Sequence, residues 1–177
     1  MKKFIISILL IITIVFLTNK TANVLIPKDA IRFRIIANSD NESDQELKKK
    51  ISKTIQQDIY PKLLEANSKQ QAKEFLTNYK DDISNKVETT IKESNVDTNY
   101  TVDYGKHHFP KKVYKGVEYP EGEYESLVIT LGKGEGHNWW CVLFPPLCLL
   151  EAEEDEQVEE VQYKSLVKEI ISKYFKR

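Results

Sequence analysis

Three histidines, two cysteines and a run of alternating glycines are the residues of this 177-residue chain whose chemistry needs weighing first. His107 and His108 are adjacent, and neighbours on an extended strand point to opposite faces, so the pair is a poor start for one metal site. His137 lies thirty residues further on, and no His-Glu-x-x-His pattern occurs. No metal or cofactor is therefore expected. Gly132-x-Gly134-x-Gly136 has the wrong spacing for a phosphate cradle, and no Lys-Ser/Thr follows it; a mobile hairpin loop is the expectation. Cys141 and Cys148 enclose six residues that include Pro145-Pro146. A double proline turns the chain back and can bring two α-carbons within bridging distance. A disulfide is expected, with two buried thiols, or a Cys141 nucleophile served by a histidine, as the other readings. No complete catalytic set emerges.

The most unusual stretch surrounds those cysteines. Asn138-Trp139-Trp140-Cys141-Val142-Leu143-Phe144 holds both tryptophans side by side in an almost unbroken apolar run. On a strand one tryptophan enters the core while the other stays outside. An outward tryptophan near Asn138, Phe144 and Pro145 would anchor another protein; the competing reading is a buried strand followed by a tight loop. Arg32 and Arg34, alternating with apolar residues, are further partner-contact candidates on what otherwise reads as a solvated sheet face.

Charge and the N-terminus bear on compartment. Twenty-six bases against 27 acids give a net charge of −1 and no basic stripe, which argues against nucleic acid. Met1-Lys2-Lys3 precedes fourteen uncharged residues, Phe4 to Leu17, the pattern of a secretory leader. As a helix that run spans about 21 Å, short of a ~30 Å hydrocarbon core. Residues 1–22 are expected to form a signal peptide, with an uncleaved form as the alternative because Lys20 fits the cleavage rule poorly. They contain three lysines and no acid, so the remainder has 23 bases against 27 acids, a net charge of −4. A soluble exported domain without an anchor of its own is expected.

The elements that must position these residues follow from periodicity. Ile31 to Ala37 alternates apolar and polar residues, a half-buried strand. Ser43 with Glu46 reads as a capping box opening a helix with Leu47, Ile51, Ile55, Ile59 and Leu63 on one face, and Pro61 is expected to stop it near Tyr60. Ser68 with Gln71 opens a second helix of about 24 residues whose stripe runs from Ala72 to Ile91. Strands follow at Tyr100–Tyr104, a hairpin at Val113–Val117, a central strand at Glu123–Leu131 and another at Asn138–Phe144. Seven of the ten residues from Glu151 to Glu160 are acidic, and an amphipathic helix runs from there towards Tyr174. The fold class is α+β, with a small, mainly antiparallel sheet packed against two amphipathic helices plus a C-terminal helix. Residues 23–150 make one domain, and 151–177 an acidic linker and helix.

Three segments also carry a family resemblance. They are Ile31-Arg32-Phe33-Arg34-Ile35-Ile36-Ala37-Asn38-Ser39-Asp40, Tyr119 through Gly132, and Asn138-Trp139-Trp140-Cys141-Val142-Leu143-Phe144-Pro145-Pro146-Leu147-Cys148. Together, over roughly residues 24–150, the chain resembles the stage II sporulation protein R family of endospore-forming bacteria. The resemblance implies a signalling protein made in the forespore and secreted into the intermembrane space of the sporulation septum. There it would trigger a membrane-embedded aspartic protease of the mother cell, which processes pro-sigma-E. It implies no catalytic residues and no small-molecule substrate. The rival class is a secreted hydrolase acting on septal peptidoglycan through Cys141 and one of the histidines, or through a metal. A plain structural protein of the septal space is the third reading.

Overall fold

The computed structural model describes residues 24–148 and 159–175, so the expected leader and most of the acidic segment lie outside the described residues. Two sheets and four helices make up the described part. The strands are β1 (Val24–Leu25), β2 (Ile31–Ile36), β3 (Tyr100–Phe109), β4 (Lys112–Tyr114), β5 (Val117–Tyr119), β6 (Gly122–Leu131) and β7 (Asn138–Phe144). The helices are α1 (Glu42–Glu65), α2 (Lys69–Asn78), α3 (Lys80–Glu93) and α4 (Glu160–Tyr174). The main sheet has the order β3-β6-β2-β7, with β2 parallel to β6 and the other pairs antiparallel. The smaller sheet has the order β1-β5-β4. The α+β class, the interior position of β6, the Val113–Val117 hairpin and the C-terminal helix agree with the expectation from sequence.

The alternation in β2 decides which side chains face which layer. Phe33 and Ile35 point towards α1 and α3, where Leu47, Ile51, Ile55, Ile59 and Leu63 form one buried row and Ile83 and Val87 another. A second, smaller core holds Val24, Ile26, Val117, Tyr119, Val142 and Leu147 against Tyr163 and Val167 of α4. Tyr119 and Tyr163 meet through their hydroxyls at 2.9 Å.

Local chemistry sets the helix ends differently from the sequence expectation in three places. The cap of α1 is Asn41, whose side chain accepts from the Asp44 amide at 2.8 Å. Helix entry there buries the Asp44 carboxylate, which accepts from Asn38 Nδ2 at 2.8 Å and Ser39 Oγ at 2.6 Å. Ser43 and Glu46 lie inside the helix instead of opening it. Pro61 does not end α1, which continues to Glu65. An interior proline costs about 3 kcal/mol, and the fully buried Leu63 beyond it offsets part of that cost. The expected second helix is two, α2 and α3, divided at Tyr79, whose φ of −96° and ψ of 4° depart from helical values although its amide still donates to the Phe75 carbonyl at 2.9 Å. Tyr79 stacks on Phe75 at 5.1 Å and accepts from Lys62 Nζ at 2.7 Å. The predicted cap at Ser68 holds: its hydroxyl accepts from the Gln71 amide, and Gln71 Oε1 accepts from the Asn67 amide.

The glycine-rich segment is not a hairpin loop. It joins β6 to β7, which are separated in the sheet by β2, so it crosses over the end of β2. Its amides are tied to the chain leaving β2: Gly136 donates to the Ala37 carbonyl at 2.9 Å and Lys133 to Asn38 Oδ1 at 3.0 Å. A side chain at Gly132, where φ is +55°, would meet Asn38 Oδ1 at 2.1 Å, which is why glycine stands there.

Candidate functional site

The face of the main sheet turned away from α1 and α3 carries Arg32, Arg34 and Trp140 of the candidate partner-contact residues, and it is not a solvated face. Arg32 is 1% exposed. Its guanidinium lies 4.6 Å from the centroid of Phe109, 5.1 Å from Tyr124 and 5.2 Å from Tyr119. Arg34 lies 5.1 Å from the ring of Phe109 and 5.3 Å from that of Trp140. The sequence expectation of solvated arginines is corrected by the packing, because Tyr119 of β5 and the rings of Phe109 and Tyr124 cover Arg32 where alternation alone would leave it open to water. A cation moved out of water is held by the negative faces of aromatic rings. Desolvation lowers the pKa of Arg34, although a guanidinium stays charged throughout. Burial raises the Tyr124 phenol, and the neighbouring Arg32 opposes that rise.

β7 delivers the two tryptophans to opposite faces, as its alternation requires. Trp139 turns to the helix side and meets Phe33 edge-on at 5.3 Å. Trp140 turns to the arginine side, 5.3 Å from Phe109 and 5.8 Å from Lys112 Nζ. Both are half-buried. Between β4 and β7 lies a groove of about 590 Å³, with Arg32 in its lining, Lys112 and Tyr114 on one wall and Asn138, Trp139 and Trp140 on the other. The fold thus brings Asn138, Trp140 and Arg32 together, with Arg34 behind Trp140, while Trp139 borders the groove with its ring turned to the helix side. Phe144 does not join them. It is 1% exposed and packs edge-on against Tyr174 at 5.1 Å and Phe175 at 6.1 Å, so it presents no surface to a partner. Sequence reading missed Lys112, Val113 and Tyr114, because only the stacking of two sheets places that hairpin beside β7.

Cys141 and Cys148 form a disulfide with α-carbons 5.4 Å apart. A bonded sulfur supplies no thiolate, so Cys141 has no nucleophile to offer in this state. The bridged loop folds back on the end of β7, where the Leu147 amide donates to the Val142 carbonyl at 3.1 Å.

The histidines stay apart. His137 Nδ1 pairs with Asp40, and the His137 amide also donates to that carboxylate at 2.6 Å. The amide bond is the main reason the Asp40 pKa lies below the ordinary value. His108 sits between Glu123 and Glu121 at 3.4 and 3.6 Å. His107 bridges Ser126 Oγ at 2.8 Å and Asp103 Oδ2 at 2.9 Å. That serine–histidine–aspartate chain escaped the sequence reading. The two-residue spacing of Asp103, Gly105 and His107 was visible, whereas Ser126 comes from another strand. Ser126 is fully buried in β6, so no substrate carbonyl reaches its oxygen in this conformation. Among the described residues no group of three His, Cys, Asp or Glu side chains is arranged to hold a metal ion.

Comparison with known proteins adds the remaining observation. A family model described as stage II sporulation protein R matches residues 27–154. The stage II sporulation protein R of Bacillus subtilis (strain 168) is 40% identical over 145 residues, covering 82% of this chain and 65% of that protein. The chain therefore spans about two thirds of the length of that relative. No solved structure matches.

Proposed function

Because the chain belongs to the stage II sporulation protein R family, we propose that it is the secreted signal of endospore formation that passes from forespore to mother cell. It is exported by residues 1–22, acts in the intermembrane space of the sporulation septum, and activates the mother-cell membrane aspartic protease that processes pro-sigma-E. The family match over residues 27–154 carries this reading. Two features are in keeping with it. The disulfide suits an oxidising compartment, and no helix among the described residues is long and apolar enough to cross a membrane.

The protein acts as a ligand. Bound to the extracytoplasmic side of the protease, it shifts that enzyme towards its active form, and it can do so only by binding the active form more tightly. The exposed parts of Trp140 and the β4–β5 hairpin supply contact area. The test is reconstitution of the protease with its sigma factor precursor in vesicles. Added protein should raise cleavage severalfold in a saturable manner; a cleavage rate unchanged by the protein at any concentration would remove the activator role.

A further inference from the structure

The groove between β4 and β7 has a second property besides its aromatic wall. Both bordering strands are terminal in their sheets, since among the described residues β4 pairs only with β5 and β7 only with β2. A terminal strand offers a row of backbone donors and acceptors that an extended segment can take up. On β7 this offer is confined to one end. The disulfide loop already engages the Val142 carbonyl, so the stretch lining the groove is Asn138–Cys141, an opening of about 10 Å at ~3.3 Å per residue.

The side chains around that opening are ordered by charge. Glu135 stands where the chain enters β7, next to Asp40, whose carboxylate is already taken by the His137 ring and amide, and Lys112 stands further along beside the Trp140 ring. Tyr114 and Trp140 face the groove from opposite walls, and Val113 of the hairpin is 64% exposed. We propose that this groove receives an extended segment of the partner protein, added as a strand to the free edge of β7 at Asn138–Cys141. The segment carries a carboxylate directed to Lys112, a basic side chain directed to Glu135, and between them an aliphatic or aromatic side chain seated between Trp140 and Tyr114. The inference rests on the reading of this protein as a ligand for another protein, and adds which backbone and side-chain chemistry that partner presents. Backbone pairing supplies affinity, while the acid-to-base polarity of the groove fixes the direction of the added strand.

The test pans a phage-displayed library of random decapeptides against the full chain. Selected peptides should place an acidic and a basic residue two to four positions apart around an apolar one. The synthetic peptides should lose at least tenfold in affinity when alternate backbone amides are N-methylated, and at least tenfold against Trp140→Ala. Lys112→Glu, at an exposed position that leaves the fold intact, should switch the selected acid to a base. Absence of any enriched sequence overturns the proposal, as does binding indifferent to N-methylation and to Lys112→Glu. A dimer seen by sedimentation velocity and dissociated by Trp140→Ala would assign the groove to a second copy and overturn it as well. The panning needs no protease, so the two readings fail separately. Peptide capture without protease stimulation removes only the activator role, whereas stimulation that survives both substitutions removes only the added strand.

Discussion

β2 separates two kinds of interior. On one side Phe33 and Ile35 meet aliphatic rows from α1 and α3; on the other Arg32 and Arg34 meet the rings of Phe109, Tyr119, Tyr124 and Trp140. The first face removes apolar area from water and needs only complementary shape. The second keeps two cations where water is scarce and holds them with ring faces, a more demanding arrangement that leaves part of Trp140 exposed. One strand thereby anchors a conventional core and, a residue away, a partly exposed aromatic surface.

Substitutions on the two faces separate these roles, and the largest effect belongs to the helix side. Phe33→Ala removes a fully buried ring and the edge contact of Trp139, and should cost about 3–5 kcal/mol in urea unfolding; a loss below about 1 kcal/mol would deny that this face carries the stability. Opening the disulfide should cost about 2–3 kcal/mol. Cys141→Ser and Cys148→Ser should match each other, and a reducing agent should bring the wild-type protein to the same midpoint. On the opposite face Arg32→Met keeps the length of the side chain but removes its attraction for three rings, and should cost about 2 kcal/mol or less. Arg34→Met should cost less again, because Arg34 is only partly buried. A stabilising Arg32→Met would show that this face is an ordinary apolar core after all.

The smallest effect lies at the rim. Glu125 is 15% exposed in its side chain and is held by Lys73 at 2.6 Å and Lys69 at 3.3 Å. Burial pushes its carboxyl pKa up, but the two lysines outweigh that and leave it below the ordinary 4.5. A depressed folded-state value means that the contribution is present above the unfolded pKa and lost as pH falls through the folded one. Glu125→Gln should therefore lower stability slightly at pH 7 and reduce the fall in stability below about pH 4.5. Identical acid profiles for the two proteins would dissociate the lysine cluster from the stability of the sheet.

The helix-side core was readable from spacing, because Leu47, Ile51, Ile55, Ile59 and Leu63 repeat at the period of their own helix. The same local logic found the Ser68 cap, the β4–β5 hairpin, the strand β7 and the opposed tryptophans. It failed wherever another layer intervened. Pro61 reads as a stop unless the burial of Leu63 beyond it is known, and Arg32 reads as solvated unless the small sheet above it is known. Phe144 was assigned to the surface with Trp140, yet α4 covers it. Of the groove, only the β7 wall was visible; Lys112 to Tyr114 joins it through tertiary packing that no periodicity encodes.

The disulfide loop has a consequence for solubility. A long, flat strand edge is a template on which sheets polymerise. By folding back on the Val142 carbonyl, the disulfide loop shortens the template that the edge of β7 would otherwise offer, whereas β3, the other terminal strand of the main sheet, keeps its full length.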